Sequence, residues 1–431
     1  MKLFSSIVCL AFTISLQAQE LLKRETAIDI VLEKHYDILV AKNSVEQAEN
    51  NADILNSGYL PTLSTSGNAN VSYNQGENKT VQGVSTFDPA ESYNYGAAVN
   101  LNYTVFNGSR RYNFKQLKEQ RNLTELQARQ VIEQTILTFS SAYFELARLE
   151  ELSLSQKEAM AISADRLKRA DYNYQYGQST QLDVLNAEVD YNNDSISYMN
   201  SRQQLVNAKR NINLMLARDL ETDFVVETDV KFSLATNKAE LLENALERNV
   251  QIEQSQSQLS NNEWALKKSQ SGWLPQLSFN AAYNYNGSDN PNGAFLVGNY
   301  SQGPQAGLTL SWNLFDGGKT STQVKNARLA IDAQSIKQQQ TEANVSRDVL
   351  NALTIYENAL FVLEAQKTNL ATNERNFDRS EEMYKQGQIN SITFRQAQLN
   401  MLNSKNQYTT AKYQAKNAEL QLKQLAGILL D

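Results

Sequence analysis

The chain has 431 residues, with 40 Lys and Arg against 47 Asp and Glu and a net charge of −7. That mildly acidic balance does not suit a nucleic-acid binder. With one cysteine and one histidine, a disulfide framework, a Cys/His metal centre and a Ser–His or Cys–His catalytic pair are nearly excluded, and no cofactor or enzymatic activity is expected.

The N-terminus comes first. Met1-Lys2 precedes an apolar run from Leu3 to Leu16 and then Gln17-Ala18-Gln19. A charged start, a short apolar core and a small residue before a polar one describe a secretory signal over residues 1–18. Cleavage after Ala18 would remove Cys9, the one thiol. Further on, no run of about 18 apolar residues occurs, so no transmembrane helix is expected. A chain of this kind can cross a membrane only as a closed barrel.

From there the pattern predicts a helix over about 25–57, strands over about 61–75 and 92–106, a long helix over about 110–175, a break, and a helix over about 178–216. A charged, non-periodic connection follows at 219–238, carrying the short run Phe224–Val226. The same grammar then returns: a helix over about 239–271, strands over about 275–287 and 304–315, a helix over about 320–385, a break, and a helix over about 388–426. The expected organisation is thus two repeats, 19–218 and 239–431, around that connection. Three short matches carry the duplication. Gly58-Tyr59-Leu60-Pro61 returns as Gly272-Trp273-Leu274-Pro275, Val105-Phe106-Asn107-Gly108 as Leu314-Phe315-Asp316-Gly317, and Tyr174-Gln175-Tyr176-Gly177-Gln178 as Tyr384-Lys385-Gln386-Gly387-Gln388. All three share an offset of about 210 residues.

Each long helix would extend about 100 Å at 1.5 Å per residue. Ile132, Ile136, Phe139, Tyr143 and Leu146 step by four and three, as do Val349, Leu353, Tyr356, Leu360 and Leu363. That spacing is coiled-coil packing. The prolines, Pro61, Pro89, Pro275, Pro291 and Pro304, all fall outside the expected helices, where each would cost about 3 kcal/mol. His35 is expected to be a surface or groove residue of the first helix, and the acidic residues read as scattered over solvated helix faces.

The strands alternate with a period of two. Leu63, Thr65, Gly67, Ala69, Val71 and Tyr73 form one face of the first, against Thr62, Ser64, Ser66, Asn68, Asn70 and Ser72. Tyr93–Phe106, Leu277–Asn286 and Gln305–Leu314 divide in the same way, with no charge in the alternating stretches. An apolar face opposite a neutral polar one suits lipid outside and water inside; a soluble β-sandwich would carry Lys and Glu on its wet face. Tyr59 and Trp273 before the strands, and Phe106 and Phe315 after them, stand where a membrane-interface girdle would. Gln75–Glu91 and Gly287–Gly303 read as loops at the opposite ends. Four strands cannot close a barrel, because the smallest have about eight. They must be pooled between chains; two would give eight strands and three twelve, and arithmetic does not choose.

A signal segment, two helix–strand–strand–helix repeats and a Tyr-x-x-Gly break in each long arm resemble the TolC-like outer-membrane efflux protein family over essentially the whole mature chain. The fold class expected is mixed and mainly α: a long periplasmic α-helical coiled-coil barrel, plus four strands per chain of a shared outer-membrane β-barrel. The resemblance implies a homotrimer in the lipid bilayer of the outer membrane of a Gram-negative bacterium. It also implies a periplasmic adaptor and an inner-membrane pump, with the chain as passive exit duct for efflux or secretion. A structural or adhesive stalk without transport is the alternative. The 219–238 segment would form a mixed belt around mid-tunnel. Gly177, Gln178, Ser179, Gly387, Gln388 and Ile389 would lie at the periplasmic turns that meet the adaptor. Asp183 and Tyr384 match the family's locking positions. Thr393 and Gln396 stand where an acidic pair often rings the tunnel entrance, and Ile389 where a locking arginine often stands, so any latch here must differ.

Overall fold

The structure, a computed structural model, describes residues 20–81, 83–234, 237–290 and 297–430. The expected signal segment, Cys9 and Pro291 lie outside these. In chain order come β1 (Glu20–Leu22), α1 (Arg24–Lys34), α2 (Tyr36–Asn51), β2 (Thr62–Thr80), β3 (Gly83–Asn107), α3 (Gly108–Gln175) and α4 (Gln181–Met215). Then follow β4 (Phe224–Val226), α5 (Lys238–Arg248), α6 (Val250–Gln270), β5 (Gln276–Asp289), β6 (Gly298–Ser311), α7 (Lys319–Lys385) and α8 (Ser391–Leu425). The chain is mainly helical. It folds into two compact units, one from residues up to 42, 128–252 and from 342 onward, the other from 43–127 and 253–341. Each unit draws on both halves of the sequence.

The first unit is helical. Its core follows the four–three spacing: Phe139, Tyr143 and Leu146 bury in one cluster with Ile212 and Leu216, and Ile132 packs against it. Val349, Leu353 and Tyr356 bury in a second with Leu241, Ala245 and Leu422. β1 and β4 pair in parallel, and Leu22, Phe224 and Val226 join the first cluster. The apolar run 224–226 hinted at β4, whereas three residues at 20–22 are too few for any period to show.

The single helices expected over 25–57 and 239–271 are each two. The first is interrupted at His35 (ψ 132°) and the second at Asn249 (ψ 124°). His35 Nδ1 accepts the Asp37 N–H at 3.3 Å, and Asn249 Oδ1 accepts the Gln251 N–H at 2.9 Å. Each side chain thereby satisfies an orphan donor of the helix it opens. One extended residue inside an otherwise helical pattern leaves no trace in the spacing. His35 is a helix joint.

The second unit holds a four-stranded antiparallel sheet in the order β2-β3-β5-β6. Pro61 and Pro275 immediately precede β2 and β5. The loop expected at 75–91 is mostly strand, since β2 runs on to Thr80 and β3 starts at Gly83. β3 meets β5 only from Tyr93 onward, so the rest is a two-stranded ribbon. A solvated ribbon needs backbone pairing but no apolar face, and so shows no alternation. Pro89 lies opposite the register shift between Asn74 and Gly76, a bulge where a missing N–H is tolerated. β6 starts earlier than expected and ends at Ser311, so Trp312 and Leu314 fall beyond it. Pro304 sits within this edge strand, opposite Tyr283.

Candidate functional site

The sheet register settles which residues share a face. Leu63, Leu101, Ala281 and Ala306 form one cross-strand row, and Thr65, Val99, Tyr283 and Pro304 the next on the same face. The alternate rows are Ser64, Asn100, Ala282 and Gln305, and Thr62, Asn102, Asn280 and Gly307. A bulge at Val105 shifts the register so that Phe106 joins Leu277 and Leu310 on the apolar side. Polar neighbours bond across strands: Asn100 donates to Ser66 and Asn280 to Thr309, each at 3.4 Å. The apolar side is open, with Leu63 72%, Leu308 67% and Leu310 66% exposed. In water that exposure is unfavourable by roughly 25 cal/mol per Å². Among the described residues β2 and β6 each have one neighbour, so both edges are open. The strands alternate in direction, and β6 runs opposite to β2. Another copy's β2 beside β6 therefore continues the antiparallel order.

The aromatic residues expected at an interface gather at one end of this sheet. Tyr59 packs edge-on against Phe114 (5.9 Å) beneath the Arg110 guanidinium (4.3 Å). Arg110 also donates to the carbonyls of Gly58 and Thr104, tying the strand ends together. The Trp273 carbonyl accepts from Trp312 Nε1 at 3.0 Å. Phe106 and Phe315 are exposed.

In the helical unit, both turns after the long helices have one construction. Gly177 (φ 70°) and Gly387 (φ 71°) take the left-handed conformation that glycine tolerates. Gly177 N–H donates to Tyr174 and Gln178 N–H to Asn173; Gly387 and Gln388 donate likewise to Tyr384 and Met383. These are paired Schellman bonds. Ser179 reaches the Ala170 carbonyl at 3.4 Å, Gln388 donates to Gln386 at 2.8 Å, and Ile389 is half-buried. The next helices open on side-chain caps. Thr180 and Asp183 form a capping box, and Asn390 Oδ1 accepts from the Thr393 N–H at 2.9 Å. Hydrogen bonds from the Thr180 N–H and hydroxyl hold the Asp183 carboxyl below the usual aspartate value. Tyr384 stacks on Phe394 at 4.8 Å, and Gln396 donates to Asn400. Asp183, Tyr384, Thr393 and Gln396 thus each make their contacts within their own hairpin.

A set of charges absent from the sequence expectation lies nearby. Arg395 of α8 grips Asp194 of α4 through two bonds of 2.6 and 2.7 Å. Ser163 of α3 donates to the same carboxylate, and Arg166 reaches Asp190 at 3.1 Å and Ser391 at 2.8 Å. Arg166 and Asp194 are buried. The signal was available: Asp190 and Asp194 stand four apart on one helix face. Their arginine partners come from helices distant in sequence, which spacing cannot reveal. The arrangement is an ion-paired clasp between the two helical hairpins. No group of acids, histidines or cysteines suited to a metal occurs among the described residues.

The chain as a whole is similar to known proteins. The family model described as "Outer membrane efflux protein" matches residues 27–218 and 241–428. The chain is similar to outer membrane protein TolC of Vibrio cholerae, 22% identical over 354 residues, covering 79% of this chain and 78% of that one. Among solved structures, the CmeC outer membrane channel of Campylobacter jejuni superposes with a TM-score of 0.75 at 18% identity, covering 94% of this chain and 86% of that one. VceC of Vibrio cholerae gives 0.73 at 14%, covering 94% and 96%. The chain belongs to the outer membrane efflux protein family, and is an outer-membrane protein of a Gram-negative bacterium with a periplasmic extension.

Proposed function

We propose that three copies of this chain form the passive exit duct of a tripartite efflux or secretion system. The observation that carries this reading is the four-stranded sheet, with one apolar face, one uncharged polar face and two open edges of opposite direction. Open edges are not tolerated in lipid. Three copies supply twelve strands, enough to close a barrel around an aqueous lumen. The polar rows of Asn, Ser and Thr then wet the lumen, and the apolar rows meet the acyl chains. Tyr59, Trp273, Phe106 and Phe315 sit at the membrane interface. The turns at Gly177, Gln178 and Ser179 and at Gly387, Gln388 and Ile389 meet the periplasmic adaptor, which couples the duct to an inner-membrane pump. Asp183, Tyr384, Thr393 and Gln396 border the entrance. The duct performs no chemistry; the pump supplies the energy.

The test is electrical. Purified assembly whose native mass equals three chains is added to planar bilayers. Discrete single-channel steps are expected. A three-chain assembly that inserts without conducting contradicts the duct and leaves a membrane-anchored stalk in its place.

A further inference from the structure

Charge is unevenly placed along the chain. The net charge is −7, yet residues 108–118, 264–275 and 317–331, where α3, α6 and α7 adjoin the sheet, hold nine Lys and Arg and no Asp or Glu. The acids close by are engaged: Glu49 pairs with Arg121 at 3.5 Å, and Asp53 and Asp316 accept capping bonds.

Four of these cations gather on one patch of the second unit. Arg111, Lys115 and Lys118 step by four and three along α3, so they share a helix face, and all three are exposed. Lys267 of α6 joins them over an aromatic floor. Its Nζ lies 4.3 Å from the Trp264 ring centroid, Lys115 Nζ lies 5.7 Å from the same ring, and Lys118 Nζ lies 4.7 Å from that of Phe114. Tyr112 stacks on Trp264. None of the four cations forms an ion pair among the described residues. Further along α3, by contrast, Arg121, Arg129 and Arg148 each pair with a glutamate.

Height along the helix selects the partner. Arg111, Lys115 and Lys118 stand roughly 5, 10 and 15 Å beyond the strand end at 1.5 Å per residue. The polar layer of a bilayer extends about 5–7 Å beyond its hydrocarbon core, and flexible Lys and Arg stems carry their charges several Å towards it. Trp and Tyr beside the cations suit the same level.

We infer that Arg111, Lys115, Lys118 and Lys267 bind the phosphate of an anionic glycerophospholipid, of the phosphatidylglycerol class, in the periplasmic leaflet. The ring faces hold the ammonium groups while leaving N–H donors for phosphate oxygens, and Arg111 adds a planar fork. This rests on the reading that the sheet spans the membrane, and adds a lipid preference to it.

The test is native mass spectrometry of the full chain offered equal amounts of phosphatidylglycerol and phosphatidylcholine with the same acyl chains, with planar-bilayer recordings on the same preparation. The patch variant is Arg111→Gln/Lys115→Gln/Lys118→Gln/Lys267→Gln. The control, Lys157→Gln/Lys168→Gln/Lys238→Gln/Lys337→Gln, removes equal charge elsewhere. Wild type and control should retain the anionic lipid by about tenfold over the neutral one, and the patch variant by about twofold or less. A conducting three-chain assembly without that preference, or a patch variant that keeps it, overturns the lipid site and leaves the duct standing. So does a patch variant that changes only the ion selectivity of the channel, which would place the four cations in the lumen. A patch-dependent preference in an assembly that inserts without conducting supports the site and overturns the duct. A chain that does not insert overturns both.

Discussion

Ala217 follows α4 with φ 50°, the one non-glycine residue in the left-handed region among the described residues. Its N–H and that of Arg218 make the same paired bonds back into the helix that Gly427 and Ile428 make after α8. Left-handed backbone costs an L-residue roughly 1–2 kcal/mol, so Ala217→Gly should raise stability by about 1 kcal/mol in chemical unfolding. Gly427→Ala should lower it by about 1–3 kcal/mol, because the conformation is strained and the added Cβ would lie 2.7 Å from the Arg248 carbonyl. The glycine turns were legible in the sequence, since Tyr-x-x-Gly-Gln occurs twice; Ala217 was not, because nothing about an alanine announces a left-handed turn. Asp183 carries a pH dependence of definite sign. Its pKa is lowered in the folded chain by hydrogen bonds from Thr180. The stability it contributes is present above the ordinary aspartate value of 3.8 and lost as pH falls through the folded one. Asp183→Asn should remove that part of the acid sensitivity, read as a smaller fall in unfolding midpoint between pH 5 and pH 2.

At the scale of elements, the short strands are held by one phenol. Tyr143 of α3 donates to the Leu22 carbonyl at 2.7 Å and accepts from the Glu227 N–H at 3.0 Å. Tyr143→Phe leaves both groups short of a partner and should cost about 1–3 kcal/mol. Burial pushes the phenol up to about 12 from an ordinary 10.0. Its contribution is therefore complete below pH 10 and lost as pH rises towards 12. The variant should lose that part of the alkaline decline in stability. The Arg395–Asp194 clasp is governed by desolvation. Arg395→Met strands a buried carboxylate and should destabilise by about 3–5 kcal/mol, while Arg395→Met/Asp194→Leu should recover most of the loss. Elements differed in legibility for one physical reason. Long helices and the two-faced strands repeat a pattern, and so did the coiled-coil positions Phe139 and Val349. The joints at His35 and Asn249, the ribbon before Tyr93 and the clasp depend on single residues or distant partners, which periodicity does not record.

For the whole molecule, sequence alternation predicts a sheet with two different faces, and the register adds that all four strands agree on which face is which. The edges explain why one copy is not enough. The central claim is that the rows through Asn100 and Asn280 face water while those through Val99 and Leu308 face lipid. The most direct measurement is thiol labelling in intact membranes. Asn100→Cys, Asn280→Cys, Val99→Cys and Leu308→Cys are each placed in a Cys9→Ser background and exposed to a charged, water-soluble maleimide. Rapid labelling is expected at 100 and 280, with protection at 99 and 308. Equal labelling on both faces, or labelling at 99 and 308 alone, would contradict it.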